Sequence, residues 1–224
     1  MVGAGAIAGT RLRYMGTDEM QLLVFPYVDI RWRDRAFLDP VHGLGVNLIA
    51  RGRVRAGIAG HVDPGREVGD GDRLRGMGDV RPAAEVRLFG AYEAPRVSVL
   101  ATARRRLGEG GGLLVDLSAA RGFALSRRLL ARVGPSLGWT NGAYARTYFG
   151  VTQAQAGRSG LPSYVPAAGV RDVGVVAMLA YQLDSRWVLL GHARATRLTG
   201  DAPRSPVVAR RENGQIGTFL VHRF

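Results

Sequence analysis

From Asp172 to Asp184 the side chains alternate strictly between two faces. Val173, Val175, Ala177, Leu179, Tyr181 and Leu183 fall on one, and Gly174, Val176, Met178, Ala180 and Gln182 on the other. A repeat of two residues belongs to an extended strand, because successive side chains leave opposite faces of a sheet. Asp184-Ser185-Arg186 then supplies a turn. Trp187 to Leu198 continues with Leu189, Gly191, Ala193 and Ala195 opposed to His192, Arg194 and Thr196, which predicts a hairpin. The same alternation recurs over Leu22–Trp32, Val54–His61, Ala84–Glu93, Val97–Ala103, Leu113–Ala119 and Ala131–Trp139. Each of these strands has one apolar and one mixed face. Helical spacing with caps is sustained nowhere, so the expected class is all-β.

Alternation alone does not say which face meets solvent. In a soluble sandwich or lipocalin the apolar face points inward, whereas an outer-membrane barrel turns it toward lipid and keeps a polar lumen. No apolar run approaches the ~18 residues of a membrane helix, so a membrane would be crossed by strands. Three features favour that version. Trp32, Tyr92, Trp139, Tyr181 and Trp187 sit near strand ends, as an interfacial girdle requires. Long connections alternate with short ones: 9–20, 63–80, 141–171 and 199–213 are long, with a glycine-rich link at 109–112, while 33–35, 50–52, 94–95, 126–128 and 184–186 are tight. The chain also ends on Phe224, with Leu220 and His222 on the same face, a pattern similar to the assembly signal of bacterial outer-membrane proteins. The glycines, 32 in all, sit inside apolar stretches, where a curling sheet needs bends and close approaches.

Counting strands refines the expectation. Treating 36–49 as one strand gives an odd total and long loops on both sides; a turn within Asp39-Pro40-Val41-His42-Gly43 repairs both faults. Single-chain bacterial barrels have even strand numbers. The expectation is therefore one domain over 1–224, a closed antiparallel transmembrane β-barrel of about twelve strands, ten being the fallback. Its loops are long outside and its turns short in the periplasm. Val2, Gly3, Ala4 and Gly5 follow Met1 without a basic or long apolar leader, so a signal peptide is expected to be absent from this chain.

Most other chemistry lacks its residues. There is no cysteine for a disulfide, a zinc knuckle or a thiol nucleophile. Gly3-Ala4-Gly5 and Gly110-Gly111-Gly112 open no helix of a βαβ unit, so neither reads as a phosphate loop. His42, His61, His192 and His222 lack the spacing of a helical metal site, and no G-x-S-x-G elbow occurs. No catalytic residue, cofactor or metal is expected. The net charge of +13 comes from arginine alone, spread along the strands and matching no nucleic-acid-binding module. Arginines near the rims are suited to lipopolysaccharide phosphates.

Two groups of residues are candidates for function. On the strand register, Asp29, Arg31, Arg53, Arg55, Glu85, Arg87, Asp116, Arg132 and Arg194 project into the lumen. They make either a salt-bridged plug or the lining of a narrow, anion-preferring pore, and a twelve-stranded barrel is of intermediate size for either. The longest loop carries Tyr148, Phe149, Leu161, Pro162 and Tyr164, enough aromatic and proline content for an ordered lid over the mouth.

Several segments carry a resemblance. Thr147-Tyr148-Phe149-Gly150-Val151-Thr152, Ser159-Gly160-Leu161-Pro162 with Tyr164, Gly169 and Asp172, then Trp187, Thr196-Arg197-Leu198, Gly200-Asp201-Ala202, Ser205-Pro206-Val207 and Arg223-Phe224 follow in order. Gly43–Leu48 and Leu74–Val80 join them from the first half. Together they resemble the MltA-interacting protein (MipA/OmpV) family across nearly the whole chain. The resemblance implies an outer-membrane barrel of a Gram-negative bacterium without catalytic residues. It would act as a scaffold that brings a murein transglycosylase together with a penicillin-binding protein.

Overall fold

The computed structural model describes residues 2–39, 42–108 and 110–223. Their alternating faces assemble into twelve antiparallel strands: β1 (Val2–Leu12), β2 (Met20–Trp32), β3 (Ala36–Asp39), β4 (Gly43–Arg51), β5 (Val54–Asp63), β6 (Ala83–Glu93), β7 (Val97–Arg106), β8 (Gly112–Ala124), β9 (Leu129–Thr140), β10 (Gly169–Gln182), β11 (Trp187–Leu198) and β12 (Glu212–Arg223). Each pairs with its neighbours in sequence, and β12 returns to β1 from Gly3 opposite Arg223 to Arg11 opposite Gln215. The sheet is a closed barrel. The turns 33–35, 52–53, 94–96, 125–128 and 183–186 lie at one end, and the long connections 64–82, 141–168 and 199–211 at the other.

The faces separate by the pleat. On β2 the even residues Leu22 and Val24 are 70% and 68% exposed on the outside, while Gln21, Leu23, Tyr27, Asp29 and Arg31 are half-buried inside. All five strand-end aromatics stand on outward positions. Trp32, Tyr92, Tyr181 and Trp187 cluster at the short-turn end; Trp139 lies at the loop end. Leu220 and His222 are outward on β12, where His222 packs edge-on against Trp187 at 4.8 Å. Phe224, Pro40, Val41 and Glu109 lie outside the described residues.

The structure corrects four sequence expectations. β1 runs on to Leu12 rather than yielding to a loop at Gly9, because Arg11 still pairs with both Gln21 and Gln215. In β4 a bulge between Asn47 and Ile49 shifts the register, so the strand reaches Arg51 and the hairpin turn is Gly52-Arg53. Gly52 takes φ +60°, as the first residue of a II′-type hairpin does. Arg53 therefore sits exposed in a turn and not in the lumen. β10 begins at Gly169, before Asp172, with its own bulge between Val170 and Asp172. Finally, the 141–168 connection holds two short capped helices, α1 (Gly142–Phe149) and α2 (Gln153–Ser159), where none was expected.

The inside-outside assignment has a direct test. Val175, half-exposed on the outer face in the middle of β10, should tolerate arginine poorly, at about 2–4 kcal/mol if it lies near the bilayer midplane. Val176→Thr on the inner face should cost far less. Urea titration of the barrel refolded into bilayers measures both, and equal losses would mean that the faces are reversed.

Candidate functional site

The long-loop end of the barrel is filled by charge. Asp116 on β8 accepts from Arg104 on β7 at 2.5 Å, from Arg171 on β10 at 3.1 Å and from Arg194 on β11 at 3.4 Å. Asp172, fully buried, binds Arg171 at 2.5 Å and Arg194 at 3.2 Å. Two carboxylates thus hold three guanidiniums across five consecutive strands. The bulge in β10 is what makes this layer, because it turns the adjacent Arg171 and Asp172 both inward, where strict alternation would send one to lipid. Burying such charges is costly unless every one is paired, and here they are.

Of the lumen residues named from sequence, the structure brings Asp116 and Arg194 into this layer. Glu85 and Arg87 form a separate inner pair on β6 at 2.5 Å, and Asp29 and Arg31 another on β2 at 3.1 Å. Arg132 reaches the Ala94 carbonyl near the short-turn end, and Arg55 is exposed there. Sequence reasoning missed Arg104, Arg171 and Asp172. Arg104 shares the parity of Thr102 and was legible, whereas Arg171 was hidden by the bulge.

Above the charges lies α1, seated by Asn141. Its side chain accepts from Tyr144 N at 3.0 Å as the helix N-cap and from Leu113 N on β8 at 3.0 Å, tying cap to barrel. The helix meets β8 where Gly112 leaves room; a Cβ there would lie 2.6 Å from the Tyr144 backbone. Tyr144 points into the lumen cavity and stacks on Tyr148 at 4.4 Å. The Tyr148 hydroxyl donates to Asp63 at 2.8 Å, and the Tyr148 carbonyl accepts from Arg66 at 2.8 Å. Phe149 is buried with Leu198, Ala202 and Val208. Leu161 and Tyr164 pack on a second cluster of Tyr14, Leu74, Met77, Val151 and Val207, which joins four loops. Pro162 is exposed; the buried proline is Pro166. α2 is held by the Thr152–Gln155 capping box, and Gln155 also donates to the Met77 carbonyl at 2.6 Å. Beneath this roof a cavity of about 540 Å³ remains, lined by Arg11, Arg87, Arg104, Arg194, Ser136 and His192 among others.

Burial pushes Tyr148 and Tyr144 above the ordinary 10.0, with the neighbouring Asp63 adding to the shift in both; Tyr14 rises by burial too. The folded chain then holds phenolic protons that the unfolded chain releases, so stability falls as pH rises above about 10. With no lysine in the sequence, tyrosines dominate titration in that range. Phenolate absorbance should show a group of tyrosines ionising above the ordinary value, and that group should be diminished in Tyr148→Phe. A single step at the ordinary value would show that the roof is open to water.

The fold has solved relatives. A bacterial polysaccharide outer membrane secretin superposes with a TM-score of 0.50 at 12% identity, covering 100% of this chain and 98% of that one. That likeness establishes an outer-membrane-type barrel fold. The MltA-interacting proteins of Escherichia coli strain K12 and of Shigella flexneri are each 30% identical over 94 residues, a stretch covering 41% of this chain but only 38% of theirs. The family model for MltA-interacting protein MipA matches residues 2–224, and this chain belongs to that family.

Proposed function

We propose that this protein is a non-enzymatic scaffold in the outer membrane of a Gram-negative bacterium, holding a murein transglycosylase beside a murein synthase of the penicillin-binding class. The observation that carries the reading is the family match over 2–224, since the family is named for interaction with MltA. The charged layer supports it, because Arg194 ties Asp116 to Asp172 where a pore would need open space. The alternative, an anion-preferring pore, draws on the arginine excess around the cavity, but Arg87, Arg104 and Arg194 are committed to carboxylates.

A periplasmic partner would meet the short-turn end. That rim is basic: Arg33, Arg53, Arg96, Arg127, Arg128 and Arg186 are all exposed there, against Asp34, Glu93 and Asp184. Such a surface steers an acidic protein face toward it and weakens with salt. At the other rim Arg105 is exposed and outward, placed to meet lipopolysaccharide phosphates.

Tagged barrel purified from envelopes should retain a lytic transglycosylase. Arg53→Glu, Arg127→Glu and Arg128→Glu together should lower that recovery about tenfold, the equivalent of ~1.4 kcal/mol, while the heated-versus-unheated gel shift stays unchanged. Recovery of no cell-wall enzyme by the native chain defeats the scaffold. Recovery unaffected by the reversal moves the docking site off the basic rim.

A further inference from the structure

Among the described residues the barrel wall is incomplete on one side. β3 has four residues and meets β2 only at Ile30, Arg31 and Trp32, after which the chain returns as β4. On that side the upper edge of β2, Met20–Phe25, has no strand partner among the described residues, although its other edge is fully paired to β1. β5 is likewise unaccompanied by β4 beyond Gly60. The gap is roofed. Gly71 in the 64–82 loop lies so close to the β1–β2 loop that a Cβ on it would stand 2.9 Å from the Tyr14 ring and 3.6 Å from Glu19. The result, among the described residues, is a window in the loop-end half of the wall, bounded by β2, Asp39 at the end of β3, Gly43 at the start of β4, the end of β5 and this roof.

Two features distinguish the window from a mere short hairpin. The free edge of β2 breaks the rule that the inner face is polar: Leu23 and Phe25 point inward there, and Phe25 is 40% exposed despite doing so. Apart from Gln21, that edge is apolar on both faces. In this half of the barrel a cavity of about 270 Å³ is lined by Arg11, Arg13, Tyr14 and Met15 at the end of β1 and by His61–Arg66 at the end of β5, with no described residue of β2, β3 or β4 in its lining. Five arginines line it against two carboxylates, Asp63 and Glu85. Arg66 is 3% exposed, and its Nε has no hydrogen-bond partner among the described residues. Open backbone groups inside a bilayer must be covered, and a basic cavity attracts an anion.

We propose that the window admits an anionic amphiphile from the outer leaflet, its hydrocarbon chain lying along Leu23 and Phe25 and its acidic head among Arg11, Arg66 and Arg87. An ordinary neutral lipid satisfies only the first half of this site. A second protein chain would satisfy the strand edge but not the cavity. The site rests on the membrane-spanning barrel and is independent of the scaffold role.

Because the chain has no cysteine, single labels can be placed cleanly. Leu23→Cys, with Val24→Cys as the lipid-facing control and Ala120→Cys as an inner-wall control on β8, would each carry a bimane fluorophore in phospholipid nanodiscs. The quenchers are a dibromo fatty acid and its uncharged monoacylglycerol. The Val24 label should be quenched by both and the Ala120 label by neither. At Leu23 the acid should quench saturably and the uncharged compound weakly, and Arg11→Gln should raise the concentration needed by about tenfold. Barrels that fail the heated-versus-unheated gel shift are excluded. A Leu23 label untouched by either compound overturns the window, and equal quenching by both overturns the headgroup site. Concentration-dependent crosslinking of two chains through Leu23→Cys hands the edge to a second copy and overturns the proposal as well. An unquenched Val24 label would instead sink the membrane orientation, and the window with it.

Discussion

A strand that crosses lipid has nowhere to leave its backbone N–H and C=O groups except on another strand. Closure of β12 onto β1 meets that demand for ten of the twelve strands along most of their length, and the rest of the molecule follows from it. Once the sheet is a cylinder, alternation puts valine and leucine against lipid and leaves an interior that has to be filled with polar groups. The chain fills it unevenly. Arginines and aspartates crowd the loop end, while the Asp29–Arg31 pair, Arg55 and Arg132 stand toward the short turns.

The paired charges, α1 and the four-loop cluster form one unit. Asn141 links helix to strand, Tyr148 links helix to Asp63, and Tyr164 donates to the Asp201 carbonyl at 2.8 Å, tying two loops together. Aromatic and aliphatic burial among Tyr14, Leu74, Val151 and Val207 gives the loops a small core of their own above the membrane. Water at that end meets a surface of packed loops, whereas the opposite end shows short turns and arginines. The proposed periplasmic docking rests on this polarity, and the proposed opening beside β2 lies in the loop-end half of the wall.

Much of this was legible in the sequence. Period-two alternation located the strands, and the demand for an even count forced a turn near Asp39–Gly43. The girdle aromatics and the inner polar residues on β2, β6, β8 and β11 followed from parity. What stayed hidden has physical causes. Bulges in β4 and β10 change parity without a residue type that announces them, so Arg53 was placed inside and Arg171 was overlooked. Helices of one or two turns give too few residues for a hydrophobic period, though their caps were readable: Thr152 followed by Gln155, and Gly160 at φ +74°. The truncation of β3 and β4 could not be read at all, because the length of a hairpin is set by its pairing and not by its composition.

Closure is the central claim, and amide hydrogen exchange along the β1–β12 seam tests it most directly. In bilayers, Ile7 to Arg11 and Gln215 to Phe219 should be protected as strongly as the ladder between β10 and β11. Rapid exchange confined to those two strands, with the other ladders protected, would mean that the sheet is open at its ends and would contradict the account.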